Sequence, residues 1–145
     1  MHLVLRLELP ADARLLPMTR RAMEEYLAEA GLGADERADL VLALDEACAN
    51  VIRHAFPGRS GRLRVGAEVL AGEVSVLVED DGVGFDSAVP RPAPGLYDTS
   101  GRGLGIIRQL MTSVELESPT EDGGTRVVMR KTLDGRSPPA ATLAH

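Results

Sequence analysis

Between residues 62 and 80 the chain alternates twice. Leu63, Val65, Ala67 and Val69 alternate with Arg62, Arg64, Gly66 and Glu68, and beyond Ala71-Gly72 the valines at 74, 76 and 78 recur at every second position. A period of two places successive side chains on opposite faces of a strand. A tight break containing glycine joins two such strands as an antiparallel hairpin. One face of this hairpin is aliphatic and must be covered, whereas the other carries arginine and glutamate and can meet water. The rest of the chain has to supply the cover.

Leu3, Leu5, Leu7 and Leu9 repeat the alternation against Val4, Arg6 and Glu8, and Pro10 closes this first strand. Apolar positions at helical spacing (Leu15, Leu16, Thr19, Ala22, Met23, Tyr26, Leu27, Ala30) predict a helix over about 11–30, stopped by Gly31 and Gly33. Pro17 leaves its first turn undefined. A second helix is predicted from Asp35, as N-cap, to Ala55, ahead of Pro57-Gly58. Residues 86–101 hold three prolines and read as an irregular connection to a third helix, from Arg102 or Gly103 to Thr112. Val114 and Leu116 predict a strand, Glu121 to Gly124 a turn, and residues 125–133 the last strand. This order predicts an α+β fold, a two-layer α/β sandwich whose mixed, mostly antiparallel sheet carries three main helices on one face. Residues 1–133 are expected to form a single domain, and 134–145, rich in Pro and Ala, a disordered tail.

A chain of 145 residues can bury one core, and with 3% aromatic residues and no Trp that core must be aliphatic. A net charge of −6 argues against direct binding to nucleic acid, whose phosphates need a basic face. The single Cys excludes an internal disulfide. With neither a signal peptide nor a membrane-spanning apolar run, no membrane partner is expected and the compartment is expected to be the cytoplasm.

Three groups of polar and glycine residues stand out from this frame. Glu46 and Asn50 lie one turn apart on the second helix, opposite a stripe of Leu40, Val41, Leu44, Cys48, Val51 and Ile52. On a cleft wall the pair offers a carboxylate as general base and an amide oxygen as a hard ligand for Mg²⁺; on a free face it is ordinary solvated polarity. Asp80 ends its strand in phase with Val74, Val76 and Val78, so its carboxylate should point toward the helices, where it needs a donor such as a purine amine. Gly82 and Gly84 would let a base or ribose approach the backbone, although Asp-Asp-Gly is equally turn chemistry. Gly101, Arg102, Gly103, Leu104 and Gly105 precede a helix whose first amides and dipole suit phosphate, with Arg102 adding charge. Thr125, behind Gly123-Gly124, shares the phase of Val127 and Met129; its hydroxyl faces the same pocket or is simply that of a strand-forming residue after a turn. A dinucleotide fingerprint fails at Ile106, where a third glycine is needed, and a P-loop fails because Lys131, the only lysine, lies in a strand. Cys48 reads as core and His54 as structural.

Together these residues resemble the Bergerat-fold ATPases, the superfamily of gyrase, histidine-kinase and mismatch-repair nucleotide domains, and within it the small bacterial anti-sigma factor serine kinases. The resemblance spans roughly residues 3–133. It implies a Bergerat ATP-binding fold with ATP and Mg²⁺ as cofactors. Glu46 would be the catalytic base, Asn50 the holder of Mg²⁺, and Asp80 the acceptor of the adenine amine, flanked by Gly82 and Gly84. Gly101 through Gly105 would form the phosphate side, and Gly124 and Thr125 the final nucleotide contact. The implied activity is that of a serine/threonine-protein kinase that phosphorylates a serine of a small anti-anti-sigma (STAS-type) partner in alternation with capture of a sigma factor. A homodimer is compatible with it. The lack of a phosphoacceptor-histidine helix pair ahead of the domain counts against a complete histidine kinase. The rival functions are a non-catalytic ATP-binding interaction module and a structural domain without nucleotide; Glu46 favours the kinase, because a pure binder has no need of a base there.

Overall fold

Five strands form one sheet in the order β1-β2-β3-β5-β4, namely β1 Val4–Pro10, β2 Arg62–Leu70, β3 Glu73–Asp80, β4 Ser113–Glu117 and β5 Thr125–Thr132. A computed structural model describes residues 2–55, 61–82, 103–117 and 124–133. Helices α1 (Leu16–Glu29), α2 (Ala34–Ala55) and α3 (Gly103–Leu110) cover one side of the sheet. The predicted loop over 86–101 and the tail from 134 lie outside the described residues.

The alternation dictates the sidedness. Leu63, Val65, Ala67 and Val69 are all buried and register against Asp80, Val78, Val76 and Val74, so the hairpin presents one continuous apolar face. Ala71 (φ 53°) and Gly72 (φ 79°) both take the left-handed conformation that a two-residue hairpin turn requires. Onto this face pack Leu40, Ala43, Leu44, Ala47, Cys48 and Val51 of α2, Met23 and Leu27 of α1, and Ile107 of α3. At about 25 cal/mol per Å² of apolar area removed from water, this aliphatic layer dominates the stabilisation. Burial pushes the Cys48 thiol up to about 12, with the nearby Asp45 charge adding to the rise, which leaves it a small inert core residue.

Topology differs from the expected mixed sheet in one instructive way. The strand–helix–strand unit β3-α3-β4 runs its two strands in the same direction, as a single-helix crossover requires. β5 then inserts between them, antiparallel to both, so all four pairings among the described strands are antiparallel. On the uncovered face this order places Glu8, Arg64, Glu79, Arg126 and Glu117 in one register row across all five strands, alternating in sign. At its centre Glu79 accepts from Arg64 Nε at 3.1 Å and Arg126 Nε at 2.8 Å. Partial burial would raise this carboxyl, but the two guanidiniums outweigh it and hold Glu79 below its ordinary value.

Element ends moved where local chemistry had been misjudged. The first helix starts at Leu16 rather than near 11, after a single 3₁₀ turn (Ala13–Leu15) capped by Asp12 Oδ1 on the Arg14 amide; Pro17 sits in the first turn, where no donor is needed. It ends at a Schellman motif, with Gly31 left-handed (φ 88°), the Leu32 amide bonded to the Leu27 carbonyl and Leu32 buried. Asp35 is not the N-cap of α2 but lies with Glu36 in its first turn, where negative charge complements the helix dipole. α3 stops at Leu110 and β5 at Thr132.

The Tyr26 hydroxyl fastens α1 to the sheet, donating to the Leu3 carbonyl at 2.8 Å and accepting from the Val69 amide at 3.1 Å. Tyr26→Phe leaves both backbone groups without this partner, so a loss of about 1–3 kcal/mol is expected, read as a lowered midpoint in urea unfolding.

Candidate functional site

Asp80 is fully buried, at the end of the row of valines and on the helix side of β3. Its Oδ1 accepts from the Gly82 amide at 2.7 Å, closing an Asx-type turn that sends the chain out of the strand. Its Oδ2 is the one buried side-chain oxygen without a partner among the described residues. Desolvation raises the Asp80 pKa; the Gly82 and Thr125 amides act against this rise, and the neighbouring Asp81 charge adds to it. A buried carboxylate oxygen facing no donor is costly, and a ligand amine is the kind of group that would satisfy it.

β5 completes this corner. Thr125 registers opposite Asp80 and is buried, as its phase with Val127 and Met129 predicts. Gly124 has a reason internal to the protein: a Cβ there would lie 1.8 Å from the Asp80 carbonyl oxygen and 3.1 Å from Oδ1. Only glycine lets the two backbones approach this closely.

The other predicted residues come from α2 and α3, which pack on each other, α2 also lying on β3. Asn50 is buried, at the edge of the core-facing side of α2 rather than on a solvated face. Glu46, one turn earlier, is half-buried and has no hydrogen-bond or ion-pair partner among the described residues. Gly103 and Leu104 open α3. Gly105 is exposed, and a Cβ built there would meet nothing within 4 Å. Packing among the described residues therefore does not ask for glycine inside this helix, where it costs roughly 1 kcal/mol relative to Ala. Gly84, Gly101 and Arg102 lie outside the described residues.

Asp80, Gly82, Gly124 and Thr125 are thus directly assembled, and Asn50 and Asp80, thirty positions apart in sequence, are both buried. Among the described residues no group of three or more His, Cys, Asp or Glu could hold a metal ion. Nor is any described helix long and apolar enough to cross a membrane. Sequence reasoning passed over Lys131, although its phase with Thr125, Val127 and Met129 places it on the helix side of β5.

A family model for the histidine kinase-like ATPase domain matches residues 9–131. The chain belongs to this family. As a histidine kinase-like ATPase it is 28% identical over 136 residues to the serine-protein kinase RsbW of Bacillus cereus (strain AH187), the match covering 88% of this chain and 83% of that protein. It is 27% identical over 136 residues to the anti-sigma F factor of Clostridium novyi (strain NT), covering 89% and 94% of the two chains. Among solved structures, the RsbU and RsbW domains of Rv1364c from Mycobacterium tuberculosis share the fold with a TM-score of 0.67 and 22% identity, over 90% of this chain and 32% of that one. The Acinetobacter baumannii histidine kinase AdeS follows at a TM-score of 0.50 and 16% identity, over 89% and 68%. The two-layer α+β architecture is that of these solved structures, and the histidine kinase-like ATPase domain belongs to a class that uses ATP.

Two expectations follow from the geometry. Because the folded pKa of Asp80 lies above its unfolded value, the unfolded chain sheds that proton first, and the residue removes stability as pH rises through the window between the two. Asp80→Asn should therefore equal or exceed wild type in stability at neutral pH, with wild type gaining on it in acid, as read by urea unfolding across pH; its ATP affinity should fall by about 30- to 100-fold, the worth of a charge-assisted hydrogen bond. Gly105→Ala should raise the thermal midpoint of the free protein, by about 0.5–1 kcal/mol in stability, while weakening ATP binding in calorimetry.

Proposed function

We propose that this protein binds Mg-ATP and phosphorylates a serine on a small anti-anti-sigma (STAS-type) partner, in alternation with sequestering a sigma factor. The observation that carries the nucleotide reading is the buried Asp80 carboxylate, with one oxygen held by a backbone amide and the other left for a donor. Adenine offers that donor in its exocyclic amine. The names of the relatives, a serine-protein kinase and an anti-sigma F factor, support the choice of target and partner.

In this reading each part of the chain has a defined task. Asp80 fixes the orientation of the base, and the turn at Gly82 allows close approach. The amides opening α3, with Gly101 and Arg102 before them, take the phosphates, and the bare flank of Gly105 leaves them room. Asn50 supplies a hard oxygen for Mg²⁺. Mg-ATP supplies the phosphoryl group and the positive charge that screens its transfer. Glu46 accepts the proton of the incoming serine hydroxyl, or orients it for attack; having no partner among the described residues, it is available for either. Thr125 and Gly124 close the pocket behind Asp80.

The test is transfer from radiolabelled ATP to a STAS-type protein encoded beside this one. Glu46→Gln should bind Mg-ATP within about twofold of wild type yet transfer at least about 100-fold more slowly, the usual worth of a general base. Transfer at the wild-type rate by Glu46→Gln would remove the base assignment. Tight ATP binding by wild type without transfer to any such partner would favour the non-catalytic binding module instead.

A further inference from the structure

Lys131 is the only lysine of the chain and stands on the helix side of β5, six residues beyond Thr125. An ammonium in a row that otherwise holds Val127 and Met129 must find partners, and it finds two on different helices. Nζ donates to the Leu110 carbonyl at 2.9 Å and lies 3.5 Å from Asp39 Oδ2. Leu110 is the last residue of α3, so its carbonyl is one of those a helix end leaves without an intrahelical donor, and the ammonium sits at the negative pole of the helix. Asp39 belongs to α2, two turns before Glu46. The same end of α3 is hooked to β5 by Thr112, whose amide donates to the Arg130 carbonyl at 2.7 Å and whose hydroxyl accepts from the Thr132 amide at 2.9 Å.

Six strand residues span about 20 Å, so Lys131 stands at the far end of β5 from the Asp80–Thr125 corner and cannot touch a nucleotide held there. Its influence would pass through α3. With eight residues this helix is too short to hold its own direction, and among its described side chains it buries Ile107, with Met111 just beyond. Lys131 and Thr112 tie its C-terminal end; its N-terminal end carries Gly103 and Gly105. A swing of roughly 10° about the tied end of a helix about 12 Å long moves the other end by about 2 Å, far beyond the tolerance of a hydrogen bond.

We propose that Lys131 is a positioning residue for the triphosphate. By joining the last carbonyl of α3 to Asp39 of α2 it sets the spacing between the helix that carries Gly105 and the helix that carries Glu46 and Asn50. The proposal rests on the Mg-ATP reading above and adds to it a residue that acts on affinity from outside the pocket.

The experiment compares wild type, Lys131→Met, Lys131→Arg and Asp39→Asn. Mg-ATP binding is measured by calorimetry and adenosine binding by NMR titration at millimolar concentration, at a temperature where each variant is folded. Lys131→Met should raise the Kd for Mg-ATP by about five- to tenfold, because triphosphate binding must then restore a helix spacing that the wild type holds in advance, and leave the adenosine Kd within about twofold, because the base is held at Asp80. Lys131→Arg should recover most of the loss, and Asp39→Asn should show about a threefold weakening. A lowered thermal midpoint with an unchanged Mg-ATP Kd would overturn the proposal, as would an equal loss for adenosine. Should Lys131→Met not fold, Asp39→Asn decides: unchanged Mg-ATP affinity in that variant overturns the proposal. A wild type that binds no Mg-ATP removes the underlying reading and this proposal with it, whereas variants that bind as well as a binding wild type remove this proposal alone.

Discussion

A carboxylate shut away from water must be met by donors, and the corner of the molecule around Asp80 is arranged by that requirement. The strand delivers the side chain to the covered face because it follows three valines in phase. The turn at Gly82 folds an amide back onto one oxygen. The last strand approaches so closely that only glycine fits at residue 124. What these donors leave unmet is one oxygen, and that deficit gives the corner its chemistry.

Local stability and readiness for a ligand are opposed at this point. Burial alone makes Asp80 harder to ionise, and the free protein carries that cost in every folded copy. Gly105 is a second instance, since it weakens a helix without relieving any clash among the described residues. Both departures from the locally best choice fall on one prospective pocket, which is where sequences commonly depart from fold-stabilising rules. The uncovered face of the sheet shows the contrary habit, with every charge in the Glu8 to Glu117 row set beside its opposite.

Much of this was legible in the chain before any coordinates, because it depends on period and phase. The hairpin from Arg62 to Asp80, the inward aim of Asp80 and Thr125, and the layer of α1 and α2 all follow from counting in twos or in steps of 3.6 residues. What escaped depends on contacts between distant segments. Asn50 lies opposite the aliphatic stripe by its helical angle, a place open to a cleft wall or to solvent, and only the fold shows it buried. Gly124 looked like turn chemistry, and only the strand order reveals the carbonyl it must clear. Lys131 looked like a strand residue of no special use, because the helix end it serves lies twenty-one positions earlier in sequence. Helix starts were misjudged by about five residues at α1 and about two at α2, where Pro17 and Asp35 are each compatible with more than one position of the first turn.

The place of β5 has a consequence for how such a chain is made. It follows the other four described strands in sequence, yet it lies inside the sheet between β3 and β4, and it brings with it the backbone that walls the Asp80 corner. Until residues 124–132 emerge from the ribosome, β3 has an open edge and the Asp80 carboxylate has no back wall. The corner therefore closes only after β5 has been made, and no shorter nascent chain can hold it.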